Sequence, residues 1–446
     1  MIDLVVKNGK ILVGKTLVDG GIAVDGGKII AVARDLNLPQ ANMIYDCEGN
    51  LILPGFIDLH VHFRDPGYPD REDFQTGTAA AAAGGITCIG DMPNPFPPTT
   101  TPEAYKEKQR IADSKAIIDF TLYGGTSESN VDNFESLSDL GVKIFKTYST
   151  TKYQALSAST PSSMIRILER TKGTGSLIMH HAEDQNIVDR ATEGVKEEGL
   201  KGFIAHARSR PPISEEVTIN MVLSAARETA SQIYICHVST KEGIESIRRA
   251  KKKGVQVRAE TCPHSLILTE EDGVGLGPYA KTNPPLRSLE HQMALWEGIC
   301  DGTLDVVSSD HCPYTRKEKD EGLCDIFEAP PGMPGLDTSI PLMLTQVSKG
   351  RLSLERLVEL YSVNPAKILG IYPRKGALQV GSDADITIVN PKKEGIIRCD
   401  ELYTKNQLTM FEGRKVKGRP VATFVRGTIV MQDGEVIGKS GYGKSI

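Results

Sequence analysis

Eight short apolar segments recur between Leu51 and about Gly370: FIDLHVH, ITCIGDM, IDFTLYG, KIFKTY, SLIMHHA, IYICHVS, VQVRAET and LDVVSSDH. Longer stretches with helical spacing separate them, among them EDFQTGTAAAAAG, PEAYKEKQRIADS, SEEVTINMVLSAARETA and LEHQMALWEGIC. Strands that alternate with helices specify a parallel sheet covered by those helices. Eight such units predict closure into an α/β (β/α)8 barrel of the TIM type, here residues 51–374.

The two ends of the chain read differently. Residues 1–50 run as short alternating strands, with Asn8-Gly9 and Asp25-Gly26-Gly27 as hairpin turns and nothing helical. From about residue 375 the β character returns in ALQVGSDADITIVN and VATFVRGTIVMQDGEVIG. Termini commonly lie close together, so 1–50 and 375–446 are expected to form one small β-sandwich domain with the barrel inserted between them. The run Arg316–Glu321 (RKEKDE) reads as a solvated loop face, with a mobile lid as the alternative.

Composition excludes several classes. With 446 residues, 39% hydrophobic and 24% charged, the chain has ample material for a core and no apolar run long enough for a membrane helix. A net charge of -5 argues against nucleic acid as a partner. No basic segment followed by an apolar one opens the chain, so a cytoplasmic protein is expected. Its 8 cysteines show no CxxC spacing; they are expected to be mostly small buried apolar residues and neither a disulfide framework nor a thiolate zinc site.

In a barrel of this kind, function sits at the C-terminal ends of the strands. There the sequence puts His60 and His62 on strand one, Lys146 on four, His180 and His181 on five, His237 on six and Asp310 on eight. His60 and His62 lie two apart on an extended segment, so both face one cation. Each residue alone has a structural explanation: a solvated Lys146, core imidazoles at His181 and His237, a helix N-cap at Asp310. Five strands placing ligand-type residues at one barrel end is a pattern that points to metal. A neutral lysine amine reacts with carbon dioxide to give a carbamate, whose two oxygens can bridge two cations. Such a pair lowers the pKa of water and polarises a carbonyl, while Asp310 can move the proton to a leaving nitrogen.

The motifs HVHFRDPG, DMPNP, IFKTY, HHAED, CHVS, KTNPPLR and SSDH, followed by NPAKILGIYPRKGALQVGSDADITI, resemble the cyclic amidohydrolases of the amidohydrolase superfamily along nearly the whole chain. Within that group the sequence is most similar to dihydroorotases, with allantoinases and hydantoinases (dihydropyrimidinases) as near relatives. The resemblance implies two zinc ions: His60, His62 and Asp310 on one, His181 and His237 on the other, and N6-carboxylated Lys146 between them. His181 is chosen over His180 by the His-Ala-Glu signature. Asp310 would be the general acid and base. Arg64 and Asn94 would bind a substrate carboxylate, and Asn283 would line the pocket. The resemblance further implies a small cyclic ureide or amide as substrate and a homo-oligomer, dimer or tetramer. Some dihydroorotases also associate with aspartate transcarbamoylase. A non-catalytic scaffold relative would have lost ligands, whereas every ligand position is filled here. Two features pull the substrate apart. Tyr314 stands where dihydroorotases carry a histidine, which favours hydantoinases. Arg64 favours dihydroorotase, because a buried guanidinium without an anion is costly.

Overall fold

The computed structural model describes residues 1–150 and 154–446. All eight apolar segments are strands: Phe56–Val61, Ile86–Asp91, Asp119–Leu122, Ile144–Tyr148, Leu177–His181, Ile233–Ile235, Val257–Thr261 and Val306–Val307. We number them one to eight. Most are buried along their whole length, as a parallel sheet with covered faces requires, and so they read as continuous apolar runs. Strands one to three and four to eight pair in parallel order. Gly124–Gly125 joins strand three to strand four, and a Val61–His311 bridge closes strand eight onto strand one.

Side chains of alternate residues fill the interior. Ile57, Ile144, Leu177, Met179, Tyr234 and Val306 form one buried cluster that plugs the lower barrel. Continuing along the same faces, strand four reaches Lys146 and strand five reaches His181, so the interior changes from apolar to ligand-bearing toward the strands' C-terminal ends. Outside, the four expected helices are present at Phe74–Ala83, Pro102–Lys115, Pro212–Thr229 and Leu289–Asp301. Asp73 caps the first by accepting from Thr76 N at 2.9 Å. That helix lies so close to strand one that a Cβ on Gly77 would sit 2.4 Å from the Phe63 ring.

Strands from both ends of the chain share one nine-stranded sheet. Its seam is the short strand Leu51–Pro54, which pairs in parallel with Ile2–Val13 and antiparallel with Ile386–Ile396. N- and C-terminal side chains meet in one core, in which Tyr45 packs edge-on against Phe424 with ring centroids 5.2 Å apart.

Three local expectations are corrected. Asn8-Gly9 is no hairpin turn: the strand runs through it as a bulge, with Asn8 at φ 54, and the chain reverses instead between Val13 and Thr16. Ile52 fills the space where a Gly9 Cβ would go, at 2.5 Å, so the glycine serves a close crossing. Asp25-Gly26-Gly27 does turn as expected, both glycines having positive φ. A 3-10 turn at Asp35–Asn37 breaks the all-β reading of the first fifty residues. Arg316–Asp320 is a short helix, closed by reciprocal bonds between Thr315 and Glu318, and its Lys319 is fully buried. Of the cysteines, Cys47, Cys88, Cys236, Cys262 and Cys312 are buried, while Cys300 and Cys324 are exposed. No helix among the described residues is long and apolar enough to cross a membrane.

Candidate metal centre and substrate cavity

A cavity of about 180 Å³ opens at the C-terminal end of the barrel. His60, His62, Arg64, Asn94, His181, His237, Asn283 and Asp310 line it. Lys146 lies just behind, fully buried, with Nζ 2.8 Å from Cys236 Sγ and 4.9 Å from the centre of the Tyr148 ring.

Two groups of donors converge. Asp310 Oδ1 lies 3.3 Å from His60 Nε2 and 3.2 Å from His62 Nε2. His181 Nδ1 lies 3.0 Å from His237 Nε2. Ligand atoms around a tetrahedral zinc with bonds of roughly 2.0–2.1 Å stand roughly 3.3 Å apart, so these separations suit a divalent cation without rearrangement. His180 takes no part: the alternation along strand five turns it away, and its Nε2 meets Ser149 Oγ at 2.7 Å.

Protonation states favour the same reading. Burial pushes His62 down to about 3 and holds His181 and His237 below their ordinary values, so all three imidazoles are neutral. Asp310 is ionised: burial raises it, but His60, His62 and His237 hold it well below the usual carboxylate range. His60 is the exception; burial lowers it, yet Glu260 and Asp310 overcome that and raise it to about 10. A cation at Nε2 would take the place of that proton.

Each of three imidazoles is gripped from its outer edge. His60 Nδ1–H donates to Glu260, His62 Nδ1–H to Asn94 Oδ1 at 2.6 Å, and His181 Nε2–H to Glu183 Oε2 at 2.9 Å. Such outer acceptors fix the tautomer and aim the opposite nitrogen inward. Cys236, Glu260 and His60 also form a ligand-type group within 4.8 Å, but Glu260 meets His60 at the edge away from Asp310 and braces it there. Glu183 is held in turn by Arg210; burial raises it, but Arg210 and His181 bring it down to about 2. The sequence offers few signs of these supports beyond a carboxylate near the end of strand seven and another two residues past His181. Backbone strain gathers here too, since Arg64, His237 and Asp310 all have positive φ.

Arg64 does not wait for an anion. Its Nη2 donates to Tyr314 Oη at 3.1 Å and to Cys312 Sγ at 2.6 Å, and its guanidinium lies 4.9 Å from the centre of the Tyr314 ring. A buried Arg64 therefore does not by itself require a substrate anion, since its partners come from residues about 250 positions away.

A barrel with convergent neutral imidazoles and a carboxylate at its catalytic end defines a metal-dependent hydrolase. Comparison with known proteins narrows the class. Residues 51–430 match the amidohydrolase family, and the chain belongs to that family. It is similar to the dihydroorotase of Methanosarcina acetivorans, 36% identical over 451 residues covering 100% of this chain and 95% of the relative. The allantoinase of Rubrobacter xylanophilus is 37% identical, with 98% and 95% covered. The solved structure of L-hydantoinase (dihydropyrimidinase) from Arthrobacter aurescens superposes with a TM-score of 0.96 at 36% identity, covering 99% of both chains.

Proposed function

We propose that this chain is a zinc-dependent dihydroorotase, which reversibly opens the ring of (S)-dihydroorotate with water to give N-carbamoyl-L-aspartate, a step of pyrimidine synthesis. The observation that carries the reading is the lining of the cavity, which is small and has two guanidiniums, Arg64 and Arg210, facing it. A compact ring bearing a carboxylate fits such a space, because a guanidinium offers it a planar fork of donors.

In this reading His60, His62 and Asp310 hold one zinc, His181 and His237 the other, with carboxylated Lys146 between them. Lys146 supports the last point. Lys108 and Lys375, also fully buried, pair with carboxylates and Lys319 with two backbone carbonyls, whereas among the described residues Lys146 hydrogen-bonds only a thiol. A carbamate on that amine would supply the anionic oxygens that two neighbouring cations need. When bound, the cations acidify water and polarise the ring carbonyl. Asp310 accepts the proton of the attacking water as its oxygen bonds the carbonyl carbon. The same carboxyl then gives the proton to the ring nitrogen as the carbon–nitrogen bond breaks. Asn94, whose carbonyl fixes His62, keeps its amide for the substrate carboxylate beside Arg64, and Asn283 closes the wall. Assembly into a dimer or tetramer in the cytoplasm belongs to the same proposal.

One observation favours a second reading, ring opening of hydantoin or allantoin on the same centre. Tyr314 already occupies one edge of Arg64, leaving less of the guanidinium for a carboxylate. The test is to compare kcat/KM of the zinc-loaded enzyme for dihydroorotate, allantoin and hydantoin. Preference for dihydroorotate by about a hundredfold supports the first reading; the reverse order sinks it and installs the second.

A further inference from the structure

Two lysines that the chemistry does not use converge on one wall of the cavity. Lys319 is fully buried, and its ammonium donates to Pro330 O at 3.0 Å and Gly332 O at 3.1 Å. Lys281, also buried, donates to Ile326 O at 2.6 Å and Ala329 O at 2.5 Å. All four acceptors belong to the single loop 326–332, whose residues Pro331 and Gly332 face the cavity.

The choice of carbonyls has a chemical reason. Pro330 and Pro331 have no N–H, so at these two residues only the oxygens can anchor the chain. Burying an ammonium costs several kcal/mol in a low-dielectric interior. Among the described residues no carboxylate hydrogen-bonds Lys319 to offset that. An apolar side chain would fill the same volume without the penalty, so the amine is explained by what it holds.

What it holds is close to the substrate. Gly332 has φ 135, and a Cβ there would lie 2.5 Å from Cys312 O, so the loop is pressed directly onto Cys312. Its amide donates to Lys281 O at 2.8 Å, and Met333 O accepts from Cys312 N at 3.0 Å. Cys312 in turn accepts from Arg64. A displacement of the loop thus reaches Arg64 through one residue.

We propose that Lys281 and Lys319 are positioning residues that clamp loop 326–332 by its carbonyls and so set the substrate-facing wall of the cavity. The inference rests on the reading of this cavity as the substrate site and does not depend on which ring is opened.

The test uses the zinc-loaded enzyme with Lys319→Met and, as an independent second variant, Lys281→Met. KM is read on whichever ring of the panel turns over, and amide hydrogen exchange is read on the substrate-free protein, so failure of dihydroorotate as a substrate leaves the second measurement standing. We expect KM to rise about tenfold or more with kcat within about threefold, since a wall displaced by even 1 Å spoils binding geometry. Exchange should quicken in 326–335 alone, with zinc content unchanged. Wild-type KM and wild-type loop exchange in either folded variant overturn the clamp. So does exchange that quickens throughout the barrel or zinc that is lost, because the lysines would then support the fold at large.

Discussion

The barrel buries ionisable groups at both of its ends, and the two sets are built on opposite rules. At the lower end Lys375 reaches Asp119 at 2.6 Å and Asp385 at 2.5 Å, while Arg426 also bonds Asp119. Every charge there has a counter-charge, and the partners come from strand three and from the terminal sheet, so the cluster pins the two together. Burial pulls Lys375 down, but its acidic neighbours hold it above its ordinary value. At the upper end the outer edges of the imidazoles are braced but the inward atoms are not matched: among the described residues Lys146 hydrogen-bonds only a thiol, His181 and His237 point nitrogens at one another, and His237 Nδ1 has no partner. Three non-glycine residues there hold strained backbone. A matched buried cluster is finished as it stands; an unmatched one is arranged for something that arrives later.

Experiments can break this contrast, beginning with the largest expected effect. Removing metal by chelation should abolish ring opening and leave the lower cluster intact, with activity returning on adding zinc; full activity in metal-free protein, checked by elemental analysis, would dissolve the upper end's special status. Asp310→Asn should cut kcat by about 10³-fold in steady-state assays of the folded enzyme, because the carboxylate serves proton transfer as well as metal binding. Lys375→Met should do the opposite: about 3–5 kcal/mol of stability lost in denaturant titration, since Asp385 is left buried without its cation and Asp119 keeps only that of Arg426, with kcat/KM of the remaining folded enzyme within about twofold. Arg64→Ala should raise KM for a carboxylate-bearing ring by about tenfold and leave an uncharged hydantoin nearly unaffected, measured side by side. The smallest effect is expected from Tyr314→His, a gain of about threefold in kcat/KM on dihydroorotate as an edge of Arg64 is freed.

The reading from residues alone reached far where the information was local. Strand five was legible because a buried parallel strand needs an unbroken apolar run, and LIM ahead of the histidines supplies one. Asp25-Gly26-Gly27 was legible for the same reason, as its turn depends on backbone freedom at those positions. Asn8-Gly9 carries an equally strong local signal and is nevertheless a bulge, because Ile52 from another strand decides what that glycine is for. Lys319 was read as solvated from its charged neighbours, and only the loop 326–332 folding over it makes it a core residue. Arg64 reads from the sequence as a lone cation, and only the fold brings Tyr314 and Cys312 beside it.

What the residues determined by themselves was the alternation of strand and helix, hence the barrel, and the chemical types carried to one end of it. Those follow from periodicity and from groups a few bonds apart. Which histidine of the pair at 180 and 181 turns inward, what braces each imidazole, and what already occupies the guanidinium were decided by tertiary structure, because each depends on atoms brought within about 3 Å from distant parts of the chain.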